Sequence, residues 1–452
     1  MQRRSVIKTL GGLSLTGILP LGLSSCSKTN NDDHLPVFET EILVVGGGTA
    51  GVIAAIQAGR AGCKTTLLEN GSQLGGTITT GGVSFPGLFH AWGKQIISGI
   101  GWELVSESVA MNGDVLPDFT IPFGKKHPKH QVLINIPLYT LLAEEKCLHA
   151  GVNIRYYETP VKILRRNDLW EVEVVGKGTH CRIVCNQLID CTGNALVTSM
   201  AGFRTLRETE TQPGSLIFEL DGYDLNKLDS KEMEERHQEA LQKGVLLKTD
   251  VLGDILRTLN ARGGGVPQHV LNADSTTSVS HSLTNIEGRA SMLRILRFVK
   301  TLSGCEKTYI AKMQPETAVR ETYRIDGVYQ ITRDDYVTGK IFEDALSYSY
   351  YPIDLHVEGG VTPKHLTEGT VATIPLRALI PKNSENLIVA GRCVSSDRLA
   401  NSALRVQASC MGMGQVAGAT AALALKKKTT PASVPVNEIK QLLAKHDGIV
   451  PV

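Results

Sequence analysis

The chain has 452 residues, 42% hydrophobic and 20% charged, more than one hydrophobic core usually organises, so two globular domains are the starting expectation. Its 47 basic and 45 acidic residues leave a formal net charge of +2, a field too weak to draw in nucleic acid or an acidic membrane over long range. The 45 glycines gather in short groups beside apolar runs, as expected where backbone approaches a ligand closely.

At the N-terminus, Arg3-Arg4-Ser5-Val6-Ile7-Lys8 has the pattern of a twin-arginine export signal, and the apolar stretch 10–23 is too short and Gly-rich to span a bilayer. Leu23-Ser24-Ser25-Cys26 resembles a lipobox, in which small residues lead to a cysteine that is acylated and becomes the mature N-terminus. Residues 1–25 therefore read as an export signal and 26–39 as a polar tether. The expected location is the periplasmic side of the cell envelope, with a lipid at Cys26 as the sole membrane attachment. A transmembrane anchor and a cleaved soluble signal are the alternatives. The other eight cysteines are scattered through apolar segments without the close spacing of a metal or cluster site, so no metal is expected.

Residues 41–45 are an apolar strand, 49–60 carry apolar residues at helical spacing, and 65–69 form a second strand. A helix follows over 95–109, a Pro- and Lys-rich loop over 110–130, and another helix over 138–149. Strands at 153–157, 160–165, 170–175 and 181–184, joined by polar turns, suggest a meander, and 188–193 is a buried strand ending in a turn. From 206 to 373 the chain is mixed, with charged helices at 231–243 and 286–302. Another apolar strand occupies 386–390, and a long helix of small residues spans 406–425. The organisation expected is a Rossmann-type α/β domain in two parts, 40–205 and 374–428, around an inserted mixed α+β substrate domain at 206–373, with a helical tail at 429–452.

Between the first strand and helix stands Val44-Val45-Gly46-Gly47-Gly48-Thr49-Ala50-Gly51, with Glu69 closing the next strand, which is the full context of a dinucleotide site. Gly46 allows the tight turn, Gly48 lets the helix N-terminus at Thr49 and Ala50 approach a pyrophosphate, and Gly51 lets helix and strand pack closely. Glu69 can accept from ribose hydroxyls. NAD and FAD both satisfy this pattern.

The choice between them comes from the other end. Asn386-Leu387-Ile388-Val389-Ala390-Gly391-Arg392, then Asn401-Ser402-Ala403-Leu404-Arg405-Val406 and a helix bearing Gly412, Gly414 and Gly418, resemble the second FAD-binding segment of glutathione-reductase-like flavoproteins. More narrowly, the chain resembles the FAD-dependent oxidoreductase family related to heterodisulfide reductase. Leu74-Gly75-Gly76-Thr77, Asp190-Cys191-Thr192-Gly193-Asn194, Arg320-Glu321-Thr322-Tyr323-Arg324-Ile325 and Tyr351-Pro352-Ile353-Asp354-Leu355-His356 fall in that family's order. The resemblance implies FAD, with Gly391 and Arg392 at its ribityl and phosphate end. Arg405 and Val406 then open a helix under the flavin pyrimidine, and Thr192 and Gly193 close over the adenosine half. It also implies Val161 near the adenine, and the loop after Gly75, Gly76 and Thr77 beside the isoalloxazine. Many relatives have an acid where this chain has Arg392, which leaves backbone contacts to the ribityl chain. The heterodisulfide relatives' iron–sulfur clusters need cysteine runs absent here.

Hydride transfer to flavin N5 requires a base for the accompanying proton and groups that orient the substrate. His356, with Asp354 two residues earlier on the same strand face, is the candidate base, and Arg405 is placed to stabilise charge on the reduced flavin. Arg320 and Arg324 either grip a carboxylate or hydroxylated substrate or tie the domains together through Glu321 and Asp326. His90, Trp92 and Lys94 either line the pocket or simply pack. The expected function is an FAD-dependent oxidoreductase acting on a small organic substrate, with sugars or polyols suited to an exported enzyme and the electron acceptor unidentified. Rival readings are a thiol/disulfide reductase using Cys393 and Cys410, and a flavin electron relay in a surface complex.

Overall fold

The run Ile42–Val45 contains no polar side chain, so it is stable only inside a sheet covered on both faces. In the computed structural model, which describes residues 35–121, 126–260, 268–358, 360–361 and 363–452, it is the centre of a five-stranded parallel sheet. The strand order is Leu387–Val389, Gln187–Asp190, Ile42–Val45, Thr65–Glu69, Asn153–Tyr156. The leader, including Cys26, lies outside the described residues.

Alternation along these strands assigns the two faces. Ile42, Val44, Leu67, Ile189 and Ile388 enter the main core with the helices Thr49–Arg60, Ile100–Met111, Ile136–His149 and Gln407–Lys427. Leu43, Val45, Leu68, Leu188 and Leu387 face the antiparallel meander Glu158–Arg166, Leu169–Gly176 and Thr179–Cys185, whose inward residues include Trp170, Val172, Val174 and Ile183. The result is a layer of helices, a parallel sheet and a β-meander.

Gln407–Lys427 is long and apolar enough to cross a membrane, yet most of it is buried in protein as a core helix. Its small residues let it lie backbone to backbone against Thr49–Arg60. A Cβ at Gly414 would sit 2.3 Å from the Ala50 carbonyl oxygen, and one at Gly418 equally close to that of Ala54.

A separate apolar cluster lies within residues 216–305, built from Leu216, Phe218, Leu220, Ile255, Met292, Ile295 and Phe298. Later residues of the expected inserted domain behave differently. Ile331, Tyr336, Leu346, Tyr350 and Ile353 belong to the main core, because Ala345–Ser349 pairs with Ala372–Pro375 and packs against Gln407–Lys427.

Several element boundaries differ from the sequence reading. The helix expected from 95 starts at Ile100, since Gly99 has φ +77° and cannot be helical. The helix expected from 286 starts at Ser278, where Thr277 and Ser280 form a capping box ahead of two polar turns. Val37–Glu39, read as tether, is an edge strand paired with Arg182–Val184.

The helix contact yields a direct expectation. Gly418→Ala drives a methyl group onto the Ala54 carbonyl and should lower unfolding stability by about 1–3 kcal/mol, the usual cost of overpacking. Chemical denaturation measures it, and an unchanged midpoint would mean that the two helices separate freely.

Candidate active site

Gly46 turns with φ +98° and donates its amide to Leu68 O at 2.8 Å, ending the strand. Gly51 sits beneath that turn, where a Cβ would lie 1.8 Å from Gly46 O, so only glycine permits the approach. Gly48 caps the helix Thr49–Arg60 without a side-chain cap, leaving first-turn amides available to an anion. The second glycine pair packs against this turn. Gly75 N donates to Gly47 O at 2.8 Å, and Thr49 Oγ1 donates to Gly75 O at 3.2 Å. Glu69 accepts from Gly47 N at 2.8 Å and Gly71 N at 2.6 Å. Burial pushes its carboxyl up against the pull of those amides. It therefore braces both turns, with lone pairs still open to a ribose.

The next strand ends in Asp190, fully buried, which accepts from the amides and hydroxyls of Thr192 and Thr198. That carboxylate shapes the turn carrying Thr192 and Gly193. Gly193 O accepts from Arg392 Nε at 2.7 Å and from Thr322 Oγ1 at 2.6 Å, while Arg392 Nη1 donates to Val319 O. Arg392 thus staples two backbone segments together. Gly391, with φ +96°, packs over Ala50, and Val406 caps the helix that begins at Gln407.

Between these parts lies a cleft of about 1470 Å³, larger than most small-molecule pockets and roomy enough for a dinucleotide. Its walls include Gly46, Gly48, Thr49, Ala50, Glu69, Gly76, Thr77, Thr192, Gly193, Gly391, Arg392 and Arg405, and the segment 311–320 forms a further wall. Gly51 and Gly75 support this wall from behind.

At the Arg405 end a polar line leads inward. Arg405 Nη2 is 3.2 Å from Asp354 O and 3.6 Å from Asp354 Oδ2. Asp354 Oδ2 is 3.1 Å from His356 Nε2, and His356 Nδ1 is 3.0 Å from His269 Nε2. Burial opposes ionisation of Asp354, but the His356 hydrogen bond and the charges of Arg405 and Arg320 outweigh it and hold the carboxyl below its usual range. Burial holds His356 below the usual imidazole value despite Asp354. His269 is pulled down to about 3 by burial, then by Arg320 and His356.

Residues 41–443 match the FAD dependent oxidoreductase family. The chain belongs to that family. FAD is its cofactor, and the protein is an FAD-dependent oxidoreductase; the glycine cradle, the uncapped helix and the 391–407 arm fit that group. Over 56 residues the chain is 45% identical to a dihydrolipoyl dehydrogenase of Pseudomonas aeruginosa, a stretch amounting to 12% of each protein. Similar solved structures include a geranylgeranyl bacteriochlorophyll reductase-like protein from Thermoplasma acidophilum, 11% identical with a TM-score of 0.43 over 91% of this chain and 85% of that one. A p-nitrophenol 4-monooxygenase from Pseudomonas putida is 12% identical, with a TM-score of 0.43 over 91% and 87% of the two chains. Likeness at that level says nothing about substrate.

Other expected site residues lie elsewhere. Val161 is 45% exposed and off the cleft, because a register shift between Pro160 and Lys162 leaves Glu158, Thr159 and Pro160 on the cleft wall instead. Arg324 is buried away from the cleft with Nη2 2.7 Å from both Glu208 oxygens, so it is a structural tie. Neither Asp354 nor His356 lines the cleft; His356 is reached from the wall through Arg405 and then Asp354. His90 stacks on Phe119 at 3.7 Å and Trp92 Nε1 donates to Thr370 O, so both pack outside the cleft, and Lys94 is exposed. Sequence reasoning missed His269 and Gln212. Gln212 Oε1 accepts from His356 N at 2.9 Å and lies 3.4 Å from Arg405 Nη2. No local pattern could have flagged either residue, since their partners are far away in the chain.

Buried neutral histidines make the fold acid-sensitive. His90 is pulled down to about 4 by burial and by His130. An unfolded histidine titrates near about 6.5, so below that pH the unfolded chain binds more protons than the folded one and stability falls. The His90 contribution is fully present above about 6.5 and lost as pH drops toward 4, with His269 extending the loss to lower pH. The melting temperature should decline from pH 7 to pH 4, and His90→Phe, which keeps a ring on Phe119, should make that decline shallower.

Proposed function

We propose that this enzyme oxidises a small organic substrate, transferring hydride to the flavin N5 and passing the electrons to a separate acceptor. Sugars and polyols are the class suited to an exported enzyme. The observation that carries the reading is the line from Arg405 through Asp354 to His356 and His269 at one end of the FAD cleft. Bound FAD supplies the hydride acceptor, and the chain's own residues must bind the substrate and remove its proton.

In this reading Gly46 and Gly48 hold the pyrophosphate, Gly51 supports their turn from behind, and Glu69 stands at the ribose. Thr192 and Gly193 cover the adenosine half, Gly391 and Arg392 the ribityl end, and Arg405 and Val406 the pyrimidine. Asp354, held ionised, takes the substrate's proton, and His356, kept neutral by burial, donates Nε2–H to that carboxylate and orients it. The segment 206–373 supplies the substrate-facing wall. The kinship with heterodisulfide reductase then concerns the FAD fold and not dithiol chemistry. Cys393 and Cys410 are buried, and burial pushes both thiols up, Cys410 to about 12, which disfavours the reactive thiolate.

Anaerobic mixing of the FAD-loaded protein with a panel of sugars, hydroxy acids and dithiols tests the reaction class. Bleaching by a sugar or hydroxy acid supports it, bleaching by dithiols alone favours the thiol reductase, and no bleaching favours a relay. With the substrate so found, His356→Gln should cut kcat/KM by roughly 100-fold or more while FAD content stays unchanged. The wild-type kcat/KM should fall on the acid side, at a pH below the ordinary imidazole range, as His356 becomes charged and weakens Asp354 as a base, and the variant should lack that limb.

We also read the leader as delivering a folded, FAD-loaded protein to the periplasmic side, held there by lipid on Cys26. Cys26→Ala should release the protein from the membrane fraction, and undiminished retention would overturn the lipid anchor.

A further inference from the structure

We propose that the substrate carries a carboxylate, and that Arg320, with Arg405 beside it, is the site that holds it. This deepens the reading above and rests on the cleft being a combined FAD and substrate site.

The argument begins with where the acids near this junction are spent. Arg324 is matched by Glu208, and Arg398 by Glu321 at 2.9 Å. Arg405 shares Asp354 with His356. Glu321 follows Arg320 directly in the chain yet points elsewhere, accepting from the Gln212 amide at 2.6 Å and from Gln212 Nε2 at 2.9 Å. Arg320 lines the cleft, is only 9% exposed, and spends Nη1 on Pro213 O and Ser215 Oγ. Among the described residues no carboxylate lies within ion-pair distance of it.

A guanidinium stays charged in a protein, so the fold carries a buried cation with no matching anion and a second cation beside it. Burial and the Arg405 charge lower the Arg320 pKa to about 9, with Asp354 only partly offsetting them. That is an unfavourable arrangement for a purely structural side chain, because a structural arginine would gain from a partner such as Glu208. It is a favourable one for receiving an anion from solution, since the planar fork presents parallel donors matched to a carboxylate.

The FAD pyrophosphate does not fill the role in this reading, because its place is the cradle at Gly46–Gly48. Arg320 instead shares the cleft wall with Arg405, and Arg405 leads through Asp354 to His356. A carboxylate seated on Arg320 would therefore put the neighbouring carbon close to both the flavin end of the cleft and the proton-accepting line. The substrate class is accordingly a small hydroxylated organic acid, a sugar acid being the polyol member of it.

The probe is sodium oxalate, with oxamide as its neutral counterpart of similar shape, titrated calorimetrically into the FAD-loaded protein at constant chloride. Oxalate should bind saturably and oxamide should not. Arg320→Gln should weaken oxalate by roughly 10- to 100-fold, in line with loss of a charge-assisted hydrogen-bond pair, and Arg320→Lys should fall between. Both variants should keep the wild-type FAD content and circular dichroism spectrum. Equal binding of oxamide, or unchanged oxalate binding in Arg320→Gln, overturns the proposal. Loss of FAD from folded Arg320→Gln also overturns it, since the guanidinium would then serve the cofactor. The calorimetric signal does not involve the flavin, so a wild-type protein that binds oxalate through Arg320 but is bleached by no acid would fail the hydride-transfer reading and not this one.

Discussion

The strand Gln187–Asp190 hydrogen-bonds to both halves of the cofactor site at once, with Asp190 in register with Val45 on one side and Val389 on the other. Three turns consequently leave the sheet at the same edge, at Gly46, Cys191 and Ala390. In a parallel sheet that edge, at the carboxyl ends of the strands, is where backbone amides and helix N-termini converge on a ligand. A register slip of one residue would move every side chain of that strand from one layer to the other and shift the turns out of line. Leu188 and Ile189 are packed into different layers, so such a slip would misfit both cores at once.

Close backbone approach is the second constraint. Gly51 under Gly46, Gly76 against Gly48, and Gly414 and Gly418 against the helix Thr49–Arg60 bring main chain to main chain at four places around one cradle. Such contacts leave no room for a Cβ, so only glycine can stand at these positions. The polar end of the cleft is built by the opposite means, with long charged side chains held by specific partners. Arg392 joins 193 to 319, Arg398 meets Glu321, and Arg405 meets Asp354. Close backbone packing at the glycine turns and charged side chains held by specific partners at the Arg405 end are thus separate achievements of the same fold.

How legible this was depends on the range of the interaction. Three strands of the meander were readable because alternation over 158–185 is local, and the glycine turns because their chemistry spans only a few residues, whereas 153–157, expected as the meander's first strand, pairs in parallel with Thr65–Glu69 instead. The start of the helix at Ser278 was not, since Ser278, Ser280, His281 and Ser282 hide its first turns under polar composition. Val161 was the wrong neighbour because a β-bulge breaks the alternation at Pro160. The His269 to His356 hydrogen bond joins two segments 87 positions apart, and neither announces the other.

Sequence by itself determined the α/β class and the glycine turn at Gly46–Gly51, because each rests on short-range backbone geometry that particular residue types impose. It left Arg320 and Arg324 equivalent, two arginines four positions apart in one block. Only the tertiary structure separated them, by carrying Glu208 to Arg324 and turning Glu321 away from Arg320. Charge neutralisation is a property of what surrounds a side chain in space, and that neighbourhood is assembled from distant parts of the chain.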